Sequence, residues 1–331
     1  MKRILLLGGA GFIGYHLGHY LVDRGDCRVT LVDNFFRSKQ DEELDTLLQS
    51  PSVDIVEGDL TERSTFERLD DEYDHVYALA AVVGVGYTED MPEEVWRINT
   101  AITLNTFEWL RESSVSRVLF ASTSETYAGT VEEFGAEIPT PEDVPLSITD
   151  ITQPRFTYAV TKMLGEAGIA HYAEAYDFKQ VTVRFHNVYG PRMGFKHVIP
   201  QVVERFHEGE DPFTVYGYDQ TRAFCHIDDA VRGVVEAMET PKAAGRTYHI
   251  GDDRGEITIE TLIRYIGDFM DFSGEYEQGP SHAGSVSRRC PDVDRAREMF
   301  GYEPQVHWKE GVRETVEWYA EYYRSGREVF E

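Results

Sequence analysis

The chain has 331 residues, enough for two domains and a large buried core. Its 59 acidic residues against 32 basic ones leave a formal net charge of −27, which argues against nucleic acid or an anionic membrane as partner. A hydrophobic fraction of 41% is that of an ordinary globular protein, and no apolar run approaches the roughly 18 residues of a membrane span.

The three cysteines, Cys27, Cys225 and Cys290, are far apart and odd in number. They show neither metal-ligand spacing nor a disulfide framework, so no metal is expected and a reducing cytoplasm is. The opening Met1-Lys2-Arg3 and the apolar run after it run straight into glycines, which reads as a first strand rather than a signal peptide. The acidic excess suits a salt-adapted surface as well as simple solubility. Arginines that survive in so acidic a chain are candidates for anion sites, because the guanidinium fork matches phosphate and carboxylate.

Residues 4–7 form the first predicted strand. Gly8, Gly11 and Gly14 follow, with Phe12 and Ile13 between them, and open a helical pattern over 15–24. Glycines at this spacing give a tight turn, a close backbone approach to a pyrophosphate and tight helix packing. The helix N-terminus then offers unpaired N–H groups to phosphate. A second strand, 28–32, ends in Asp33, about twenty residues past the glycines, where an acid binds the ribose 2′-hydroxyl of NAD. That carboxylate repels a 2′-phosphate, so NAD is preferred over NADP. Arg37 nearby keeps NADP as the minority reading.

A helix over 41–48 and a strand over 53–56 lead to Gly58-Asp59-Leu60. Asp59 is placed to cap the next helix or to approach the adenine. A fourth strand, 75–80, runs into Ala81 and a Val/Gly loop through 86, small residues against which a flat cofactor can lie. Pro92 starts a long amphipathic helix to 111 that contains Asn99. The apolar run 115–120 reads as a fifth strand. It breaks into Ser122-Thr123-Ser124-Glu125, at the sheet rim where ligands bind in open α/β sheets. Residues 129–154, rich in Pro, Glu and Thr, read as a long loop and a candidate lid.

Tyr158 and Lys162 stand four apart on a predicted helix over 158–176, on one face. A neighbouring cation lowers a phenol's pKa, which makes Tyr158 a candidate general base. A sixth strand, 181–185, ends in the run from His186 to Arg192. The strand–helix alternation up to this point is that of a doubly wound parallel sheet. Beyond it lie predicted helices over 198–207, 230–238, 259–269, 293–300 and 311–322, and strands over 213–216 and 247–250. The reading is an α/β, Rossmann-type NAD-binding domain (1–187) followed by a smaller C-terminal α/β lobe (188–331). The strand 247–250 is expected to rejoin the main sheet.

Taken together and in this order, these motifs resemble the extended short-chain dehydrogenase/reductase family, in particular its nucleotide-sugar epimerases, dehydratases and decarboxylases. The resemblance spans essentially the whole chain. It implies NAD contacts from Gly8, Gly11, Phe12, Ile13, Gly14, Asp33, Asn34, Asp59, Leu60, Leu79, Ala80, Ala81 and Asn99, joined by Tyr158 and Lys162. It implies Tyr158 as the base that takes a sugar hydroxyl proton while C4 gives up hydride. Lys162 would bind the nicotinamide ribose, and Thr123 would bridge substrate O4 and the tyrosine. Asn187, Arg222 and Arg289 would hold a nucleotide diphosphate.

The run Thr123-Ser124-Glu125 lacks the acid that 4,6-dehydratases place second. It resembles the UDP-glucuronate decarboxylases, although the segment 129–154 departs from them. A 4-epimerase needs only Tyr158, Lys162, Thr123 and NAD, and epimerisation of a nucleotide hexose or hexuronate is the leading expectation, with decarboxylation next and release of the 4-keto sugar by a 4-dehydrogenase, or 4,6-dehydration, behind. Glu125 is the residue on which the outcome turns. The resemblance also implies a homodimer through the helices at 92–111 and 158–176. A non-catalytic dinucleotide sensor of the same fold would be expected to lack the Tyr/Lys pair.

Overall fold

The computed structural model describes residues 1–281 and 286–327. In chain order the first half contains β1 (Lys2–Leu7), α1 (Phe12–Arg24), β2 (Cys27–Asp33), α2 (Glu42–Leu48), β3 (Val53–Glu57), α3 (Arg63–Phe66), β4 (His75–Ala78), α4 (Val85–Asp90) and α5 (Pro92–Glu112). There follow β5 (Arg117–Thr123), a 3₁₀ turn (Ser124–Tyr127), α6 (Ala128–Phe134), α7 (Thr157–Ala175), β6 (Lys179–Phe185) and β7 (Val188–Tyr189). The remainder comprises α8 (Val198–His207), β8 (Phe213–Val215), β9 (Thr221–Ala223), β10 (Cys225–His226), α9 (Ile227–Glu239), β11 (Arg246–Ile250), β12 (Glu256–Thr258), α10 (Ile259–Phe269), β13 (Tyr276–Gln278), β14 (Arg288–Arg289), α11 (Asp294–Phe300) and α12 (Trp308–Arg324).

Seven strands make one all-parallel sheet in the order β11-β6-β5-β4-β1-β2-β3. The central strand β1 reads as an unbroken apolar run because both of its faces are covered, and Ile4 to Leu7 are all buried. One face carries a core built with α1 and α9, the other a core built with α5 and α7. Strand order reverses between β1 and β4, so a crevice opens at the carboxyl ends of these strands. Helices α8, α10 and α12 enclose a third core with β8, outside the sheet. Strand β11 pairs with β6 at the sheet edge, so the chain returns from the C-terminal half to the first domain's sheet.

Three local features depart from the expected pattern. Strand β4 ends at Ala78 rather than at 80, because the Leu79 and Ala80 amides both donate to the Leu7 carbonyl and the chain peels off the sheet. The Val/Gly loop contains a short helix, α4, entered through Gly84 at φ +125°. The segment 129–154 is not loop throughout: α6 carries through to Phe134 and stops at Gly135, which adopts φ +60°. The rest is tied down, with Gly129 N–H donating to the Ser147 carbonyl and Thr140 N–H to the Cys290 carbonyl. Among the described residues, no helix is long and apolar enough to cross a membrane.

Candidate active site

The crevice at the strand reversal holds a cavity of about 550 Å³. Its floor is the glycine turn between β1 and α1. Gly14 must be glycine there, since a Cβ would stand 2.3 Å from the Gly8 carbonyl oxygen, a backbone atom that cannot step aside. Helix α1 is capped by Gly11 with no side-chain hydrogen bond, so its first amides point to the cavity without a protein acceptor on a side chain.

Asp33, at the end of β2, is buried and lines the cavity. Its Oδ2 accepts from Ala10 N–H at 3.0 Å, and its Oδ1 accepts from Phe35 N–H and the Ser38 hydroxyl, each at 2.9 Å. Three of about four lone-pair sites are thus used, which fixes the carboxylate and leaves one to receive a hydroxyl. Asn34, Asp59, Leu60, Leu79, Ala80 and Ala81 line the same cavity, as do Gly8, Gly11, Phe12, Ile13 and Gly14. The turn, the uncapped helix and the fixed carboxylate fit a dinucleotide.

Asn99 belongs behind this wall rather than in it. The residue is buried on α5, accepts from Val82 N–H at 2.7 Å and donates to the Val82 carbonyl at 2.9 Å. Both backbone groups of the loop residue are satisfied by one side chain, so Asn99 positions the cofactor-side loop.

Tyr158 and Lys162, on the first turns of α7, close the other end of the cavity together with Phe185. The Lys162 ammonium lies 5.7 Å from the Tyr158 ring centre and 5.1 Å from that of Phe120. Burial pushes the Tyr158 phenol well above its ordinary value. Arg37 pulls it down and Glu125 pushes it up. Burial lowers Lys162 to about 8, opposed by Glu166. The cation that opposes burial at Tyr158 is therefore Arg37, where sequence spacing pointed to Lys162.

The strand-end cluster lies outside the cavity lining, next to Tyr158. Thr123 caps the 3₁₀ turn by accepting from Glu125 N–H at 3.3 Å, and Ser124 is buried beneath it. Glu125 accepts from Arg289 at 2.6 Å and lies 3.9 Å from Arg155. Burial raises its pKa, but Arg289, then Arg155 and Arg222, outweigh that and hold it at about 2. Glu125 is an ionised carboxylate between arginines. Among the described residues, Arg289 Nη2 and Arg155 Nε are buried with no hydrogen-bond partner, so both cations keep donors to spare.

Arg222 is more committed, donating to the carbonyls of Thr221 (2.7 Å) and Val286 (2.9 Å) and to the Gln220 side chain (3.1 Å). Asn187 takes φ +41°, a conformation asparagine tolerates, and donates to the Ala223 carbonyl at 3.1 Å. Arg155 had no distinguishing mark in the sequence beyond being an arginine in an acidic chain. Arg37 was read only against the ribose, and its place near Tyr158 depends on a loop path that periodicity does not reveal.

A family model described as the NAD dependent epimerase/dehydratase family matches residues 4–251. The chain belongs to this family. Over 97% of its length it is 32% identical to the UDP-N-acetyl-alpha-D-glucosaminuronate decarboxylase of Bacillus cytotoxicus, covering 98% of that protein. Over 95% of its length it is 30% identical to UDP-glucuronic acid decarboxylase 1 of Arabidopsis thaliana, covering 69% of it. Among solved structures, the UDP-glucose 4-epimerase of Thermotoga maritima with UDP-glucose superposes with a TM-score of 0.83 at 27% identity, over 97% of this chain and 99% of that one. This family member is an NAD-dependent enzyme of nucleotide-sugar modification, and its fold is the Rossmann-type α/β sheet described above.

Proposed function

We propose that the enzyme oxidises C4 of a nucleotide-diphospho-hexuronate and then lets the 4-keto acid lose carbon dioxide. The observation that carries this reading is the ionised Glu125 held by Arg289 on the turn beside Tyr158. NAD, when bound, supplies the hydride acceptor for C4 and returns the hydride at the end. Tyr158 takes the proton from O4 as phenolate, a state that burial opposes and the Arg37 cation favours; Thr123, at the end of β5, orients that oxygen. A ketone at C4 makes the carboxylate on C5 a good leaving group: the C5–carboxylate bond breaks, its electrons pass into the enolate at C4–O4, and carbon dioxide departs. The spare Arg289 donor stabilises negative charge there. C5 then gains a proton from solvent, and Tyr158 returns its proton to O4 as C4 is reduced. Glu125 repels the substrate carboxylate, and that repulsion is relieved when neutral carbon dioxide leaves. Residues 188–331 supply most of the nucleotide-sugar contacts in this reading, with Asn187 and Arg222 on the diphosphate side and Arg289 turned instead to the sugar carboxylate.

4-Epimerisation is the second reading, supported by the likeness to a UDP-glucose 4-epimerase. It needs only Tyr158, Lys162 and Thr123 and a sugar that turns before hydride returns. A 4,6-dehydration is less well served, because Ser124 stands where that reaction's acid would and is not a carboxylic acid. The deciding experiment is mass spectrometry of products from a panel of nucleotide hexoses and hexuronates in deuterated water. Loss of carbon dioxide with one deuterium at C5 is expected. A C4-inverted product of unchanged mass and no deuterium would replace the proposal with epimerisation.

A further inference from the structure

Arg37 has a role that neither the cofactor's ribose nor the sugar cluster accounts for. It lines the cavity at the Tyr158 end. Its guanidinium lies 5.3 Å from the Tyr87 ring centre, and Nη2 is 3.6 Å from where a Cβ on Gly194 would stand. The side chain therefore leaves the β2 loop, crosses the cavity and reaches the backbone just ahead of α8.

The other cations lining this cavity each have a carboxylate that favours their charge. Arg192 donates to both carboxylate oxygens of Asp41, at 2.9 and 3.0 Å, and to the Ala10 and Lys39 carbonyls. Arg97 is paired with Glu94 at 2.6 Å. Lys162 is stabilised by Glu166. Arg37 differs from all three. Among the described residues, the groups that favour its charge are the phenols of Tyr87, which also hydrogen-bonds to it, and Tyr158; no carboxylate does so, and its Nε is buried with no hydrogen-bond partner. A guanidinium taken out of water without a counter-ion is costly. In a chain of net charge −27, carboxylates are the commonest neighbours to be had. A cation kept clear of them inside a ligand cavity is arranged for an anion that arrives with the ligand.

We propose that Arg37 is an oxyanion-binding arm that closes over the bound ligands at the catalytic end of the cavity. Two groups carry the required chemistry: the pyrophosphate of the dinucleotide, and the carboxylate of an acidic sugar. The second source rests on the hexuronate reading above; the first does not.

The test uses Arg37→Met, which keeps length and loses charge, with Arg37→Gln as the second variant should the first fail to fold and Arg37→Lys as the conservative control. Calorimetry measures the affinity of the purified protein for NAD alone, then of the NAD-loaded protein for a nucleotide hexuronate and for the matching neutral nucleotide hexose. A tenfold or greater loss of NAD affinity, partly restored by lysine, assigns the arm to the pyrophosphate. Unchanged NAD affinity with a tenfold loss confined to the hexuronate assigns it to the carboxylate. NAD and both sugars binding within twofold of wild type would overturn the proposal. Because binding is read rather than turnover, failure of the decarboxylation reading leaves these outcomes distinguishable.

Discussion

Glu125 shows how nearby arginines settle the state of one side chain. Burial alone would favour its protonated form, but Arg289, then Arg155 with help from Arg222, reverse the balance and hold its pKa at about 2. A carboxylate whose folded pKa is depressed stabilises the fold above its unfolded value, about 4.5, and loses that contribution as pH falls through the folded one. The side chain is 28% exposed, so solvent screens part of the interaction, and the contribution is on the order of 2–3 kcal/mol. Glu125→Gln is expected to be less stable by that amount at pH 7. Between about pH 4.5 and 2 its stability should fall less steeply than that of wild type. Urea melts across this range check it, and parallel acid limbs for the two proteins would refute it. The identity of Glu125 was legible in the sequence from its place at a strand end. Its ionisation was not, because Arg155 and Arg289 reach it from remote parts of the chain.

At the scale of elements, strands were the most readable feature. Unbroken apolar runs such as 4–7 and 118–120 declare buried parallel strands, because both faces must be covered. Elements fixed by a single backbone event were not readable. Helix α4 depends on Gly84 taking a positive φ, and α6 continues into a stretch whose Pro and Thr content argues for loop. The same limit applies to Asn99. Resemblance placed it with the cofactor, while its actual bonds run to Val82, a contact between an element and a loop. Asn99→Leu keeps the shape but leaves the buried Val82 N–H and C=O unpaired. It should cost about 2–4 kcal/mol and weaken NAD binding by tenfold or more as the loop loosens. Denaturant melts and NAD calorimetry read the two effects separately. Intact NAD affinity in a destabilised variant would show that the loop does not shape the cofactor site.

At the scale of the molecule, α5 and α7 join the cofactor wall to Tyr158 and Lys162 and leave an unmatched apolar outer face. They pack side by side on one face of the sheet. Arg97, Ile98 and Ile102 of α5 line the cavity, as do Tyr158 and Lys162 of α7. Their outward side chains include Trp96 (54% exposed), Leu104 (50%) and Leu164 (48%). Scattered exposed apolar residues need no explanation, but large ones gathered on adjacent long helices mark an interaction surface. With 21 and 19 residues the helices are each about 30 Å long. Two such helices side by side present about 600 Å² per subunit, so a symmetric pairing buries about 1,200 Å² in total, the lower bound of stable interfaces. We propose that a second copy of this chain covers this face as a four-helix bundle. Sedimentation is expected to give a dimer at micromolar concentration for wild type and a monomer for Trp96→Glu/Leu104→Glu. A monomeric wild type, or a double variant that still dimerises, would place the interface elsewhere. The double variant should keep NAD affinity within about twofold, since both substituted side chains face away from the cavity and the Asn99 bonds to Val82 stay inside one subunit.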